Sequence, residues 1–202
     1  MATARGAEPL SSRDDLLSAD EWRRLDTAVD HGLEFLSGKQ HPDGSFDAPD
    51  LGQPGITSLC VMAFLSRGHV PETGPYGEQL ARAIEFVLGT QQDNGLLFNQ
   101  PVGTVWSYGT PSHTAIYNHA IAGLMLGEVY GMTDETRRGH MAAAITAAIR
   151  HTRERQLQPK RNAYYVGGWR VPRTGRRPAR RGRPVCHDLA VDVLAFRAKC
   201  RV

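Results

Sequence analysis

Two short stretches with the same layout decide how the chain is read: "QHPDGSF" at residues 40–46 and "QQDNGLLF" at residues 91–98. Each follows an apolar helical stretch, and each has a glycine four positions after its first glutamine. The match extends upstream at a period of 51 residues, with Leu33, Phe35, Leu36, Gln40, Asp43 and Gly44 aligned on Ile84, Phe86, Val87, Gln91, Asn94 and Gly95. A fixed period of this kind is typical of repeat proteins, so we interpret both stretches as the recurring turn of a repeat.

The first repeat is a pair of helices. Ser18 and Glu21 form a capping box, which predicts that an amphipathic helix begins there and runs to about Gly38. After the first turn, Pro54 opens a second and nearly apolar stretch that ends at Gly68. Because neither helix can bury its surface alone, the pattern predicts stacked helix pairs with the apolar helices inside.

The second and third repeats follow the same order less regularly. The apolar helix of the second repeat is predicted from Ser112 to Gly131. A third block starts around Met141, with a longer turn that we predict to run from Gln156 to a closing pair, Gly168 and Trp169. A plain all-α domain with similar turns is the alternative interpretation, but the shared glutamine-to-glycine spacing favours a repeat.

The motif Gly32-x-x-Phe35-Leu36-x-x-x-Gln40-x-x-x-Gly44-x-Phe46 resembles the QW motif of the prenyltransferase and squalene oxidase repeat. That repeat occurs in squalene and hopene cyclases and is related to the helix pairs of protein prenyltransferase β subunits. The resemblance covers about residues 25–170 and implies an all-α fold, an α/α toroid of concentric outer and inner helices. It also implies that the glutamine holds the end of each outer helix by hydrogen bonds. The implied structural motif residues are Gln40, Gly44, Phe46, Gln91, Gly95, Phe98, Gln156, Gly168 and Trp169.

Composition excludes several classes of protein. With 41% apolar and 22% charged residues over 202 positions, the chain is not expected to be disordered as a whole. No apolar run approaches the roughly 20 residues of a membrane helix, and the first residues lack the apolar core of a signal peptide. We therefore expect a cytoplasmic protein without a membrane span. Cys60, Cys186 and Cys200 include no CxxC pair, so neither a disulfide framework nor a zinc site is predicted.

The charge balance changes near Val171. Residues 1–172 carry 15 Lys or Arg against 19 Asp or Glu, whereas residues 173–202 carry 9 against 2. We divide the chain into a polar leader (1–17), an α/α repeat domain (18–172) and a basic tail (173–202).

The basic tail has two interpretations. Clustered arginines suit a nucleic acid or another anionic surface. However, reading Arg181–Arg201 one nucleotide later permits the string EADLSVTTWQLMFLRSARNAG, in which VTTWQLMFLRSA aligns with residues 56–67. We therefore favour a frameshift between about Val171 and Arg181, which predicts a disordered or non-native tail and no nucleic-acid partner. The toroid would then be incomplete, with about three repeats.

No catalytic set is identified. The chain has neither the Asp-x-Asp-Asp motif that the resemblance implies for hopene-type cyclases nor the Asp, Cys and His constellation of zinc prenyltransferases. No metal or cofactor is predicted. The candidate ligand-binding residues are Trp106, Tyr108, His113 and Tyr117, which surround the start of the 112–131 helix. The alternative is that these side chains only cover the helix end.

Two functional hypotheses follow. The first is an isoprenoid or lipid-like ligand in the hollow of the toroid, with an apolar cavity lined by Trp106, Tyr117 and an acid. The second is a non-catalytic scaffold or interaction module, part of a larger protein, in which the inner helices pack closed on one another. Exposed apolar helices at the open end would favour self-association.

Overall fold

The computed structural model describes residues 16–49, 51–99, 111–160, 163 and 166–169. Within these residues the chain is all-helical and has no strand, which confirms the predicted all-α class for this part of the protein. The five helices are α1 (Ala19–Ser37), α2 (Gly55–Ser66), α3 (Gly77–Gly89), α4 (Pro111–Val129) and α5 (Glu135–Leu157). The leader up to residue 15 and the basic tail at 173–202 lie outside the described residues.

Contacts divide the chain after Gly38 into two units, and α1 belongs to the first. The helix begins at the predicted capping box, in which the Glu21 backbone N–H donates to Ser18 Oγ and the Ser18 backbone N–H donates to the Glu21 carboxylate at 2.8 Å. It ends where the Gly38 N–H donates to the Glu34 carbonyl at 3.2 Å. Local capping therefore sets both ends of α1.

The core of the second unit is built around the two nearly apolar helices. Helix α2 packs against both α3 and α4, and α4 packs against α5. The largest fully buried apolar side chains of these helices are Val61 and Phe64 from α2, Leu80, Ile84 and Val87 from α3, Met125, Leu126 and Val129 from α4, and Met141 from α5. Because α2 and α4 have apolar residues on every side, each can be covered by more than one neighbour.

Asn118 joins the two apolar helices at the N-terminus of α2. Its Oδ1 accepts a 2.6 Å hydrogen bond from the Gly55 N–H, and its Nδ2 donates to the Leu51 carbonyl at 2.9 Å. A Cβ atom at Gly55 would lie 2.7 Å from Asn118 Oδ1, so a larger residue there would displace the amide that accepts this hydrogen bond. A side chain of α4 thus satisfies a backbone donor that α2 cannot satisfy itself.

Helix α5 begins earlier than the third block predicted around Met141. Asp134 caps the helix by accepting a 2.9 Å hydrogen bond from the Arg137 N–H, so that Glu135 is the first helical residue. The Arg137 guanidinium also pairs with Glu85 at 2.7 Å and with Glu72. Apolar spacing alone placed the block too late, because the first two turns of α5 are polar and depend on the cap and these ion pairs.

Candidate functional site

Two turns of the second unit share one hydrogen-bonding pattern. We call them latch 1 (residues 40–46) and latch 2 (residues 91–97). Gln40 Nε2 donates to the Gly44 carbonyl at 3.1 Å, and Gln91 Nε2 donates to the Gly95 carbonyl at 3.2 Å. Both glycines have a positive φ, 91° at Gly44 and 85° at Gly95, which is the left-handed region that favours glycine.

Each latch docks on a helix later in the chain, latch 1 on α3 and latch 2 on α5. Gln40 Nε2 also donates to the Gln79 carbonyl of α3 at 2.8 Å, and Gln91 Nε2 donates to the Ala144 carbonyl of α5 at 2.9 Å. A Cβ atom at Gly44 would overlap the Arg82 carbonyl, and one at Gly95 would overlap the carbonyl of Ala147. The two glycines are therefore required both for their φ angle and for the close approach of another backbone.

Each latch is also fixed to an apolar helix. The Phe46 N–H donates to Thr57 Oγ1 of α2 at 3.0 Å, and the Leu97 N–H donates to His119 Nδ1 of α4 at 3.1 Å. Thr57 lies in the first turn of α2, and His119 lies near the middle of α4. The sequence alone does not assign either residue to a latch. Latch 1 thus connects α2 with α3, and latch 2 connects α4 with α5.

The tautomer of His119 follows from its partners. Because the Leu97 N–H can only donate, Nδ1 is unprotonated and the hydrogen is on Nε2, 2.9 Å from Thr152 Oγ1. The Thr152 hydroxyl in turn donates to the Ala148 carbonyl at 3.0 Å. Burial, together with the neighbouring His151 ring, lowers the pKa of His119 to about 4. His119 is therefore neutral and hydrogen-bonded at both nitrogens near pH 7.

The third turn has the same hydrogen bond between its glutamine and its glycine. We call it latch 3 (Gln156 with residues 166–169). Gln156 Nε2 donates to the Gly167 carbonyl at 3.1 Å, and Gly167 has a φ of 83°. The Trp169 indole N–H donates to the Thr152 carbonyl of α5 at 3.1 Å. The glycine equivalent to Gly44 is therefore Gly167, so the predicted Gly168 was one residue late.

Latch 2 needs a similar correction. The residue that bridges to Gln91, as Phe46 bridges to Gln40, is Leu97 and not the predicted Phe98. The register follows the positive-φ glycine, and the aromatic ring does not set it. Phe98 is nonetheless buried, in a cluster with Leu96, Ala115 and Leu51.

An open apolar groove runs between α4 and α5 and encloses about 50 Å³. We call it the α4–α5 groove. Its apolar lining comes from Leu96, Ile116, Ala120, Gly123, Ile145 and Ile149, and its polar lining from His119, His151, Thr152, Arg155 and Trp169. Because the groove is open and its enclosed volume is small, a hydrocarbon chain bound there would contact the protein on one side only.

The charge of the α4–α5 groove comes from Arg155. Burial lowers the pKa of its guanidinium, and no Asp or Glu of the described residues lines the groove or pairs with it. His151 Nδ1 donates to the Asn94 carbonyl at 3.0 Å, and burial lowers the pKa of this imidazole as well. The lining is thus apolar with one cation, an arrangement suited to an anionic amphiphile.

The predicted ligand-binding residues are only partly described. Trp106 and Tyr108 lie outside the described residues, and His113 belongs to α4 while its side chain lies outside them. Tyr117 is half-buried on α4 and does not line the α4–α5 groove. That these residues form a pocket stays a prediction.

Metal ligands, reactive thiols and membrane-spanning helices are the other features that could indicate a function. Among the described residues, no group of three or more His, Cys, Asp or Glu side chains could hold a metal ion. Cys60 is a buried free thiol in α2, and burial raises its pKa. No helix in the described ranges has the length and apolarity needed to cross a bilayer.

Comparison with known proteins gave no relative. No family model, curated protein or solved structure matches the chain.

Proposed function

We propose that the chain is a helical-hairpin repeat protein of the prenyltransferase and squalene-cyclase-like class, and that its α4–α5 groove binds an isoprenoid or lipid-like chain. The observation that carries this proposal is an apolar groove whose lining includes Arg155, a half-buried cation without a carboxylate partner among the described residues. Apolar surface would hold the hydrocarbon, while the guanidinium would hold an anionic head group such as a diphosphate.

The repeat class is supported by the equivalence of latch 1 and latch 2. Both use the same glutamine and glycine contacts within the turn, and each docks on a backbone carbonyl of a later helix, α3 for latch 1 and α5 for latch 2. Continued addition of such pairs would curve the array into an α/α toroid, to which this chain would contribute about three repeats. No catalytic residue is assigned, and the proposal is limited to binding.

The binding proposal is tested by calorimetric titration with farnesyl diphosphate and with farnesol. Ala120→Phe places a ring in the groove and should abolish binding of both compounds, whereas Ala143→Phe, at an exposed position of α5, should leave both unchanged. Arg155→Gln should weaken the diphosphate about tenfold and spare the alcohol, because only the diphosphate is charged. Equal binding by the Ala120 and Ala143 variants would contradict the proposal.

A second candidate is a non-catalytic interaction module, in which the α4–α5 groove takes an apolar helix. It is favoured by the closed contact of α2 and α4 through Asn118, and by the place of the groove in the repeat order. Helix α2 lies against α3 and α4, so in the same order α4 would lie against α5 and a further apolar helix. Such a helix would come from a partner or from another copy with exposed apolar helices.

A peptide of the α2 sequence at residues 55–66, flanked by lysines for solubility, distinguishes the two candidates. The interaction module predicts that the peptide binds the wild-type chain, fails to bind Ala120→Phe, and binds equally in the presence of farnesol. The ligand site predicts that farnesyl diphosphate binds and displaces any bound peptide.

A further inference from the structure

Among the described residues, no helix is docked on latch 3 as α3 is on latch 1 and α5 on latch 2. Gly44 and Gly95 are buried beneath the backbone of α3 and α5, respectively, whereas Gly167 is exposed and a Cβ atom there would meet nothing within 4 Å. In the described residues Gln156 bonds only to the Gly167 carbonyl, while Gln40 and Gln91 each reach a second carbonyl on a helix. The donor and the glycine surface of latch 3 are therefore in position without an occupant from the described part of the chain.

The two occupied latches define what this occupant must provide. On α3 the glutamine reaches the Gln79 carbonyl, the glycine lies over the Arg82 carbonyl, and Ala83 follows. On α5 the corresponding residues are Ala144, Ala147 and Ala148. The occupant is thus a helix with an accessible carbonyl and, four residues later, a small side chain that lets two backbones approach.

Helix α1 has these residues in the same register. The 51-residue period that aligns the two turns places Ala28 at the position of Gln79, His31 at that of Arg82 and Gly32 at that of Ala83. Ala28 and His31 are exposed, and a Cβ atom at Gly32 would meet nothing within 4 Å. Helices α1 and α5 also both begin nine residues before the carbonyl in question, each behind a side-chain cap.

Charge favours the pairing of α5 with α1. Helix α1 contains five acidic and two basic side chains, not counting histidine, and α5 contains two acidic and five basic ones. Two copies of α1 would repel each other, and so would two copies of α5, whereas α5 and α1 attract. This balance selects between a head-to-tail contact and a contact of like helices.

We propose that latch 3 of one copy docks on α1 of a second copy of this chain. Gln156 Nε2 donates to the Ala28 carbonyl of the second copy, and Gly167 lies over its His31 carbonyl. The contact joins two different surfaces, so the copies associate head to tail. In a pair, the α1 of one copy and the latch 3 of the other remain able to bind further copies. The proposal does not depend on a ligand in the α4–α5 groove.

Sedimentation equilibrium over a range of concentrations measures the association. The wild-type chain should gain mass with concentration, and Gln156→Glu should weaken the association at least about tenfold, because the variant replaces the amide donor with a charged acceptor. Gln158→Glu makes the same charge change at an exposed position outside the latch, and we expect it to have a much smaller effect. Helical circular dichroism should be the same for all three chains.

A mixing experiment tests the head-to-tail geometry. Gly32→Trp blocks α1, and Gln156→Glu weakens latch 3, so each variant alone should associate at least about tenfold more weakly than the wild type. Mixed together, they should form a one-to-one dimer that does not grow, because the intact α1 of one meets the intact latch 3 of the other. A contact between identical surfaces would not restore a dimer in this way.

Three results would overturn the proposal. One is a wild-type chain that stays monomeric up to roughly 1 mM, the weakest range of specific association. Another is an equal effect of the Gln156 and Gln158 substitutions. The third is a mixture that remains monomeric while the wild type associates, which would assign the association to another surface such as the α4–α5 groove.

Discussion

Latch 1 and latch 2 have the same backbone geometry but use different side chains to hold it. In latch 1 the apolar helix offers the Thr57 hydroxyl, and in latch 2 it offers the His119 imidazole, each as the acceptor for one backbone N–H. Among the described residues, the side-chain oxygen of the latch glutamine accepts a hydrogen bond only in latch 1, from Arg82 to Gln40. The difference shows that the repeat requires an acceptor at this position but accepts different side chains as that acceptor. The two latches should therefore respond alike to backbone changes and differently to pH.

The largest effect is expected where the latches are most alike. Gly95→Ala and Gly44→Ala each force a Cβ atom into a helix carbonyl at a positive φ, and we expect a loss of about 3 kcal/mol or more in the free energy of unfolding. Gly139→Ala on α5, where a Cβ atom meets nothing within 4 Å, should be neutral or stabilising. Urea denaturation measures all three. A Gly95 variant as stable as the Gly139 variant would show that latch 2 is not docked.

The second effect separates the latches by pH. The pKa of His119 is about 4 in the folded chain and 6.5 for a free imidazole, so the unfolded chain takes up its proton first as the pH falls. The full stability is present above pH 6.5 and is lost progressively between pH 6.5 and about 4, by about 3 kcal/mol at most for this group. The lowered pKa of His151 adds in the same direction.

The measurement is the free energy of unfolding across that pH range, compared between the wild type and His119→Gln. An amide oxygen still accepts from the Leu97 N–H but does not titrate, so the variant should have a shallower pH dependence. Thr57→Gln at latch 1 is the matched change and should leave the slope as it is. An unchanged slope in the His119 variant would assign the pH dependence elsewhere.

A smaller effect is expected from removing the acceptor of latch 1. Thr57→Val keeps the shape of the side chain but leaves the buried Phe46 N–H without a partner, which should lower the free energy of unfolding by about 1–3 kcal/mol. Thr146→Val, at an exposed position of α5, serves as the control in the same urea series. If both valine variants have the same midpoint, the Thr57 hydrogen bond does not stabilise latch 1.

The smallest effect concerns the contact that only latch 1 has. Arg82 is exposed and donates from Nη2 to Gln40 Oε1 at 3.0 Å, whereas α5 has Ala147 at the equivalent position. Arg82→Ala should therefore cost no more than about 0.5 kcal/mol in a thermal or urea melt. A loss above about 1 kcal/mol in the free energy of unfolding would mean that latch 1 depends on Arg82. Another contact would then have to take the place of this arginine in latch 2.

Much of the fold could be predicted from spacing. The capping box of Ser18 and Glu21 set the start of α1, and the apolar stretches set α2 and α4 to within about two residues. Gln40 and Gln91 were found because each lies four positions before its glycine. These signals are local, so a single sequence contains them.

The rest depended on contacts between distant residues. In the third turn Gly167 comes eleven positions after Gln156, so the spacing of four could not identify the correct glycine of the Gly167-Gly168 pair. Thr57 and His119 share a role but not a residue type, and only their contacts to the latches reveal it. The α4–α5 groove was likewise beyond sequence reasoning, because it forms from two helices whose mutual packing decides which side chains face each other.

The hydrogen bond from Gly55 to Asn118 has a consequence for how the protein assembles. The first turn of α2 is completed by a side chain 63 positions later in the chain, so this helix cannot be finished while only its own repeat has been synthesised. As the chain leaves the ribosome, the first turn of α2 must wait for α4, and the two helices become one cooperative folding unit. A shortened protein that lacks α4 would accordingly have a frayed N-terminus of α2.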